Sequence, residues 1–166
     1  DWLGVVPHVI TLSEDISHED AAVLTQHFWH NIGLSMEPGP ALDEALTQYA
    51  TVLYYEGHYG ADGRAGVVRS FNERWDRVKA TDDQPIGLPV ASYAGRAYGA
   101  IVYGKGPLFL LALRAQMGDD VFAQFLEDFI AAYRWRTATG QDFLAAAETA
   151  CACQLDDLFA QWVTPR

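Results

Sequence analysis

From Ala97 to Met117 the chain runs almost without interruption through apolar residues, and Gly118 ends the run. A stretch of that length reads as one long apolar helix stopped by glycine. Its longest unbroken apolar run, near Leu108–Leu113, is far short of the ~20 residues that cross a bilayer, so no transmembrane segment is expected here. The flanking sequence carries helix signals of the same kind. Ser17-His18-Glu19-Asp20 has the form of a capping box and opens a helix to about Leu34. Gly39-Pro40 opens a second helix, with Asp43 and Glu44 in the first turn, where the dipole favours acids; it should end near Gly57. A third is expected over Arg64–Lys79. Thr81–Ser92, which holds Pro85, Gly87 and Pro89, reads as a loop. Beyond the long helix, Asp119 is expected to cap a helix reaching about Trp135. Thr139-Gly140-Gln141-Asp142 is a second capping box, opening a helix to about Cys151, and Leu155–Val163 closes the array. The one strand candidate is Val5–Leu12, which Pro7 confines to an edge or to a strand's start.

The 166 residues suffice for one domain with a sizeable core. Half of them are hydrophobic and 13% aromatic, which argues against disorder. The 22 acids against 11 bases give a net charge of -11, and such a chain repels phosphate backbones, so nucleic acid is set aside as a partner. An acidic surface mainly confers solubility, and it also favours cationic substrates. Cys151 and Cys153 are one residue apart, a spacing that rarely suits an unstrained disulfide, and no second Cys or His pair accompanies them. They are expected to be buried or half-buried thiols, which leaves the compartment open. The chain starts Asp1-Trp2 rather than with Met and shows no signal peptide. That suits an excised domain or a processed product; the localisation is left open, with a soluble domain of an exported or membrane-tethered bacterial protein as one reading.

Three features follow one another along the sequence: Gln26-His27-Phe28-Trp29-His30, then Leu42-Asp43-Glu44-Ala45-Leu46-Thr47-Gln48-Tyr49, then Tyr103-Gly104-Lys105-Gly106. His27 and His30, three residues apart, share a helix face, and a carboxylate on the next helix completes a set of N and O donors suited to zinc. Each feature also has a plainer reading. Histidines beside Trp29 are packed polar residues, Glu44 is a first-turn acid, and Tyr103 is a core or interface anchor.

The order of these elements resembles that of the gluzincin metallopeptidases of the aminopeptidase N type. Those proteins show V-x-x-H-E-x-x-H-Q-W, then W-L-x-E-G-x-A-x-Y, then Y-x-K-G opening a long apolar helix. Here Val23-Leu24-Thr25 precedes Gln26–His30, Ala41–Tyr49 follows, and Tyr103–Gly106 leads into Pro107-Leu108-Phe109-Leu110. The tail is similar too, through Met117-Gly118-Asp119-Asp120 with Phe122, Thr139 with Asp142-Phe143, and the late Gln161-Trp162. The resemblance implies a mainly α fold, the multi-helical half of a zincin catalytic domain with at most one or two short N-terminal strands. It implies a single domain over residues 1–166 within a larger protein, and peptide or protein partners; the oligomeric state is left open. In that family two histidines and a later glutamate hold zinc. The glutamate of H-E-x-x-H deprotonates the metal-bound water, and the tyrosine of Y-x-K-G hydrogen-bonds the oxyanion.

Carried over residue by residue, Glu44 matches the glutamate ligand and Tyr103 the oxyanion tyrosine. The histidine motif has two placements. In the preferred one, over Gln26–His30, His30 is the second ligand, Gln26 stands for the first, and His27 stands for the base. In the other, over Val23–His27, His27 is the second ligand, while Val23 and Leu24 stand for the first histidine and the base. Tyr103, Glu44 and His27 thus occupy catalytic positions, and His30, Glu44 and His27 are the metal candidates. Both placements lose a ligand and the carboxylate base. A catalytic zinc needs about three protein ligands, and losing a base costs ~10²–10⁴-fold in rate. Zinc binding is therefore expected to be weak or absent and the domain catalytically degenerate. The alternative is a working hydrolase with His27, His30 and Glu44 on the metal, and Glu56 or His58 approaching as a base.

Overall fold

The computed structural model describes residues 35–37 and 41–163. The expected strand Val5–Leu12, the expected helix Ser17–Leu34, and with it His27 and His30, lie outside the described residues.

The described chain opens with a short strand, β1 (Ser35–Glu37), and continues into α1 (Ala41–Trp75), whose helical run is broken at Gly60 (φ 64, ψ -150). That conformation is open to glycine and costly to residues with a Cβ. Its effect is to fold α1 back on itself. Arg64 reaches Glu56 at 3.3 Å and Arg74 reaches Gln48 at 3.4 Å, and both pairs are centred on Gly60 and Ala61. The two arms of α1 therefore run antiparallel, and they are the two helices expected on either side of Gly57–Gly63. After Trp75 the chain makes further helical turns to Asp82, with Lys79 N–H on the Trp75 carbonyl and Asp82 N–H on that of Val78.

The proline-containing stretch holds a single 3₁₀ turn, Val90–Ser92. The long apolar segment then begins as α2 (Ala97–Ala100), passes through a π turn at Ile101–Lys105, and continues as α3 (Gly106–Met117) with Pro107 in its first turn. The remaining elements are α4 (Asp119–Tyr133), β2 (Thr137–Thr139), α5 (Gly140–Cys151) and α6 (Asp156–Trp162). β2 lies parallel to β1, in register Ser35–Thr137, Met36–Ala138 and Glu37–Thr139. The fold is mainly α, as the sequence implies.

The Thr139 capping box is present in full. The Thr139 hydroxyl accepts the Asp142 N–H at 3.1 Å, and the Asp142 carboxylate accepts the Thr139 N–H at 2.8 Å. Asp119 is a correction: Gly118 (φ 87) is the cap of α4, and the Asp119 carboxylate instead takes the Arg114 guanidinium at 2.9 Å. The cysteines are a second correction, because Cys151 and Cys153 are disulfide-bonded. Ala152 stands between them in the left-handed region (φ 49, ψ 39), and this reversal at the end of α5 brings their Cα atoms to 5.1 Å, within disulfide reach.

The core is aromatic. Phe143 packs edge-on against Phe125 and Phe129, with ring centroids at 5.0 Å in each case, and Phe109 packs edge-on against Phe159 at 5.2 Å. Phe71, Leu46, Ile101, Leu110 and Leu113 are fully buried beside them. The arms of α1 meet the π turn so closely that side chains are excluded. A Cβ on Gly104 would lie 2.9 Å from the Trp75 nitrogen and 3.0 Å from the Phe71 carbonyl oxygen, and one on Gly106 would lie 2.9 Å from the Ala45 Cβ.

Two predictions follow from this packing. Gly106→Ala should destabilise the fold by roughly 1–3 kcal/mol through overpacking, read as a lowered urea midpoint. Gly66→Ala, where an added Cβ meets nothing within 4 Å, should stabilise helical α1 by about 0.5–1 kcal/mol. The same substitution thus changes sign with backbone proximity, and equal effects at the two sites would contradict the arrangement. Separately, burial pushes the Tyr49 hydroxyl up to about 12 against the pull of Arg114, and burial pushes Tyr93 to about 12 as well. A raised folded value means that the native state holds the proton longer, so the associated stability is intact below the ordinary tyrosine value near 10 and is lost as pH rises through about 12. Urea midpoints should fall between these limits, and Tyr49→Phe should flatten the fall; a midpoint indifferent to pH over that window is the contrary result.

Candidate functional site

Glu44 enters the first turn of α1, where the helix dipole favours a carboxylate. Gln48 follows one turn later on the same face. Opposite them, the π turn inserts one residue into the α2–α3 helix, and such turns change where side chains point. The turn carries Tyr103, which is half-buried with its ring edge-on to Tyr98 at 5.7 Å. Tyr98 in turn meets Tyr93 at 6.3 Å.

Glu44 and Tyr103 are brought together. The Tyr103 hydroxyl is held well above the ordinary phenol range, first by burial, then by hydrogen bonding to Tyr98, and then by the charge of Glu44, which is also its hydrogen-bonding partner. Tyr103 is therefore a neutral O–H donor at all ordinary pH values, the state required to donate to a developing oxyanion.

Two basic residues hold the turn that carries it. Arg74, near the end of the second arm, donates to the Tyr103 carbonyl at 3.2 Å and to the Gln48 side chain at 3.4 Å. Lys105 is 4% exposed, and its ammonium donates to both Asp83 oxygens at 2.9 and 3.0 Å and to the Gln84 carbonyl at 2.8 Å. Trp75 donates its indole N–H to the same Asp83 at 2.8 Å, and its ring lies 5.4 Å from the Lys105 ammonium. With three protons and three acceptors, Lys105 is an anchor for the Asp83–Gln84 loop and has no proton left for chemistry.

Sequence reasoning missed Arg74 and Asp83. Both sit in largely polar stretches, and no local pattern reports a partner 29 residues away, as for Arg74, or 22, as for Asp83. Glu56 and His58 are placed where they cannot serve as a base beside Glu44. Twelve residues of helix put Glu56 about 18 Å along the arm from Glu44. There it is paired with Arg114 and Arg64, while His58 stacks on Tyr54 with centroids 5.3 Å apart.

His27 and His30 lie outside the described residues. Among the described residues no group of three His, Cys, Asp or Glu side chains could hold a metal ion. Glu44 offers one oxygen donor at this position.

Residues 23–162 match the family model described as the Peptidase family M1 domain. "Probable aminopeptidase 2" of Sulfurisphaera tokodaii is 30% identical over 90 residues, which cover 53% of this chain and 12% of that protein. The chain therefore spans only a small part of the length of the curated relative it matches. No solved structure matches it.

Proposed function

The chain belongs to the peptidase M1 family, and from that premise we propose that this metallopeptidase-like domain is catalytically degenerate and serves binding or architecture within a larger protein. The reading is supported by the pairing of Glu44 with Tyr103 and by the preferred placement of the motif, in which Gln26 and His27 stand where the first zinc histidine and the general base would be. What is left can orient a peptide carbonyl through the Tyr103 hydroxyl. It lacks the carboxylate that takes a proton from water in the family, and Glu56 is held far along the arm by two arginines. The zinc that the family uses would, when bound, polarise a carbonyl and acidify a water; here one histidine and one glutamate would have to hold it.

The second reading is an active hydrolase with an altered site, favoured by the i, i+3 spacing of His27 and His30. Metal analysis and chelator competition separate the two. The wild type should carry no stoichiometric zinc and turn over no aminoacyl or peptide substrate. Gln26→His should raise zinc affinity, and Gln26→His with His27→Glu should raise it further. Activity should stay low in the single mutant for want of a base, about 10²-fold or more below that of an intact site. If Gln26→His leaves affinity unchanged, the motif sits at Val23–His27, and Val23→His becomes the informative variant. Micromolar zinc affinity in the wild type, with turnover abolished by Glu44→Ala, would overturn the degenerate reading.

A further inference from the structure

We propose that the Cys151–Cys153 disulfide is a site of reversible thiol–disulfide exchange with low-molecular-weight thiols, and that its opening loosens the junction between α5 and α6.

The bond closes a loop with a single intervening residue. Disulfides stabilise mainly by shortening the freedom of the unfolded chain, and that effect grows with loop length, so this one gains close to the least available. Ala152, the residue inside the loop, stands in the left-handed conformation (φ 49), which residues with a Cβ resist. Little in the folding of the domain therefore calls for this covalent link, and the backbone around it relaxes when it opens. Access is compatible with exchange: both cysteines are half-buried rather than sealed, and Ala150, Ala152 and Gln154 around them are exposed.

The exchange balances as follows. A small thiolate attacks one sulfur, forming a mixed disulfide, and the electron pair of the Cys151–Cys153 bond leaves on the other sulfur, which takes a proton from water. A second small thiol attacks the mixed disulfide, releasing the protein dithiol and an oxidised small-molecule disulfide, so two electrons pass from the small thiols to the protein.

What the opening frees is a compact junction. The Glu148 carbonyl accepts the Cys153 N–H at 3.4 Å, and the Glu148 carboxylate accepts the Leu155 N–H at 2.8 Å. Leu155 is fully buried at the start of α6. From there α6 presents Trp162 to Trp75 at 5.5 Å, and the Trp162 carbonyl accepts the Ile86 N–H at 2.9 Å. Loss of the tie at residues 151–153 thus registers at two tryptophans.

The test is equilibration of the native chain with glutathione redox buffers, followed by acid quench, alkylation and mass spectrometry, with tryptophan fluorescence and circular dichroism alongside. The expected result is reversible reduction by about 5 mM reduced glutathione, with helicity retained and a shift in tryptophan emission that the double variant Cys151→Ser/Cys153→Ser reproduces without reductant. Ala152→Gly, which removes the left-handed cost from the closed loop, should make the bond harder to reduce by about fivefold or more. A disulfide that resists glutathione until the chain is unfolded overturns the proposal. So does a glycine variant whose reduction midpoint equals that of the wild type, and so does reduction with no change in tryptophan emission.

Discussion

Lys105 is the residue on which the rest of the arrangement turns. An ammonium at 4% exposure is tolerable only when its charge is answered, and here two carboxylate oxygens and a carbonyl answer it. Only the ammonium is buried, since the Asp83 side chain is 34% exposed, so removing Asp83 is expected to cost about 1–3 kcal/mol. The pair does more than balance charge. Asp83 belongs to the loop after the second arm of α1, and Lys105 ends the π turn, so their contact ties the loop to the apolar helix. Trp75 completes the tie: it bonds Asp83, faces the ammonium, and packs on Trp162 of α6. Three separate stretches of chain meet at this one charge.

The glycines on either side of Lys105 explain why the turn can sit so deep. Gly104 lies against the backbone of the second arm at Phe71 and Trp75, and Gly106 lies against Ala45 of the first. The π turn is thereby clasped between the two arms, and Arg74 closes the clasp from the side through the Tyr103 carbonyl and Gln48. Tyr103 has little freedom once this is done. Its ring is fixed by Tyr98 and its hydroxyl faces Glu44, so the geometry of the pair is set by packing well away from its polar ends.

How much of this was legible depends on the range of the interaction. Features decided within one or two turns were readable: the Thr139 capping box, the glycine stop at Gly118, the acids opening α1, and the apolar helix through Met117. The hairpin of α1 was readable as two helices, because Gly57, Gly60 and Gly63 break the pattern, although only the structure shows how the arms lie. Features decided at long range were not readable. β2 is three residues whose partner lies a hundred positions earlier, so no periodicity could announce it. The disulfide was missed because a one-residue spacing rarely suits one, and the left-handed turn at Ala152 that brings the cysteines together has no signature in the sequence. Asp119 was read as a cap because Arg114, its actual partner, is on the preceding helix. Of the candidate site, Glu44 and Tyr103 were legible from the order of motifs, whereas the arginine and aspartate that hold them carry no local signature.

The site residues that the chain retains are those with reasons to be present beyond chemistry. Gly104 and Gly106 are required by backbone proximity, and Lys105 by its loop. Glu44 is favoured by the dipole of the helix it opens, and the Tyr103 ring packs on Tyr98 whatever its hydroxyl does. In the preferred placement that we propose, Gln26 and His27 stand where the family has its first histidine and its glutamate base. A Tyr-Gly-Lys-Gly element is therefore weak testimony to catalysis, since three of its four residues serve packing. A domain under pressure to fold, and under none to hydrolyse, would keep this subset and relinquish the other. That asymmetry is what the degenerate reading requires.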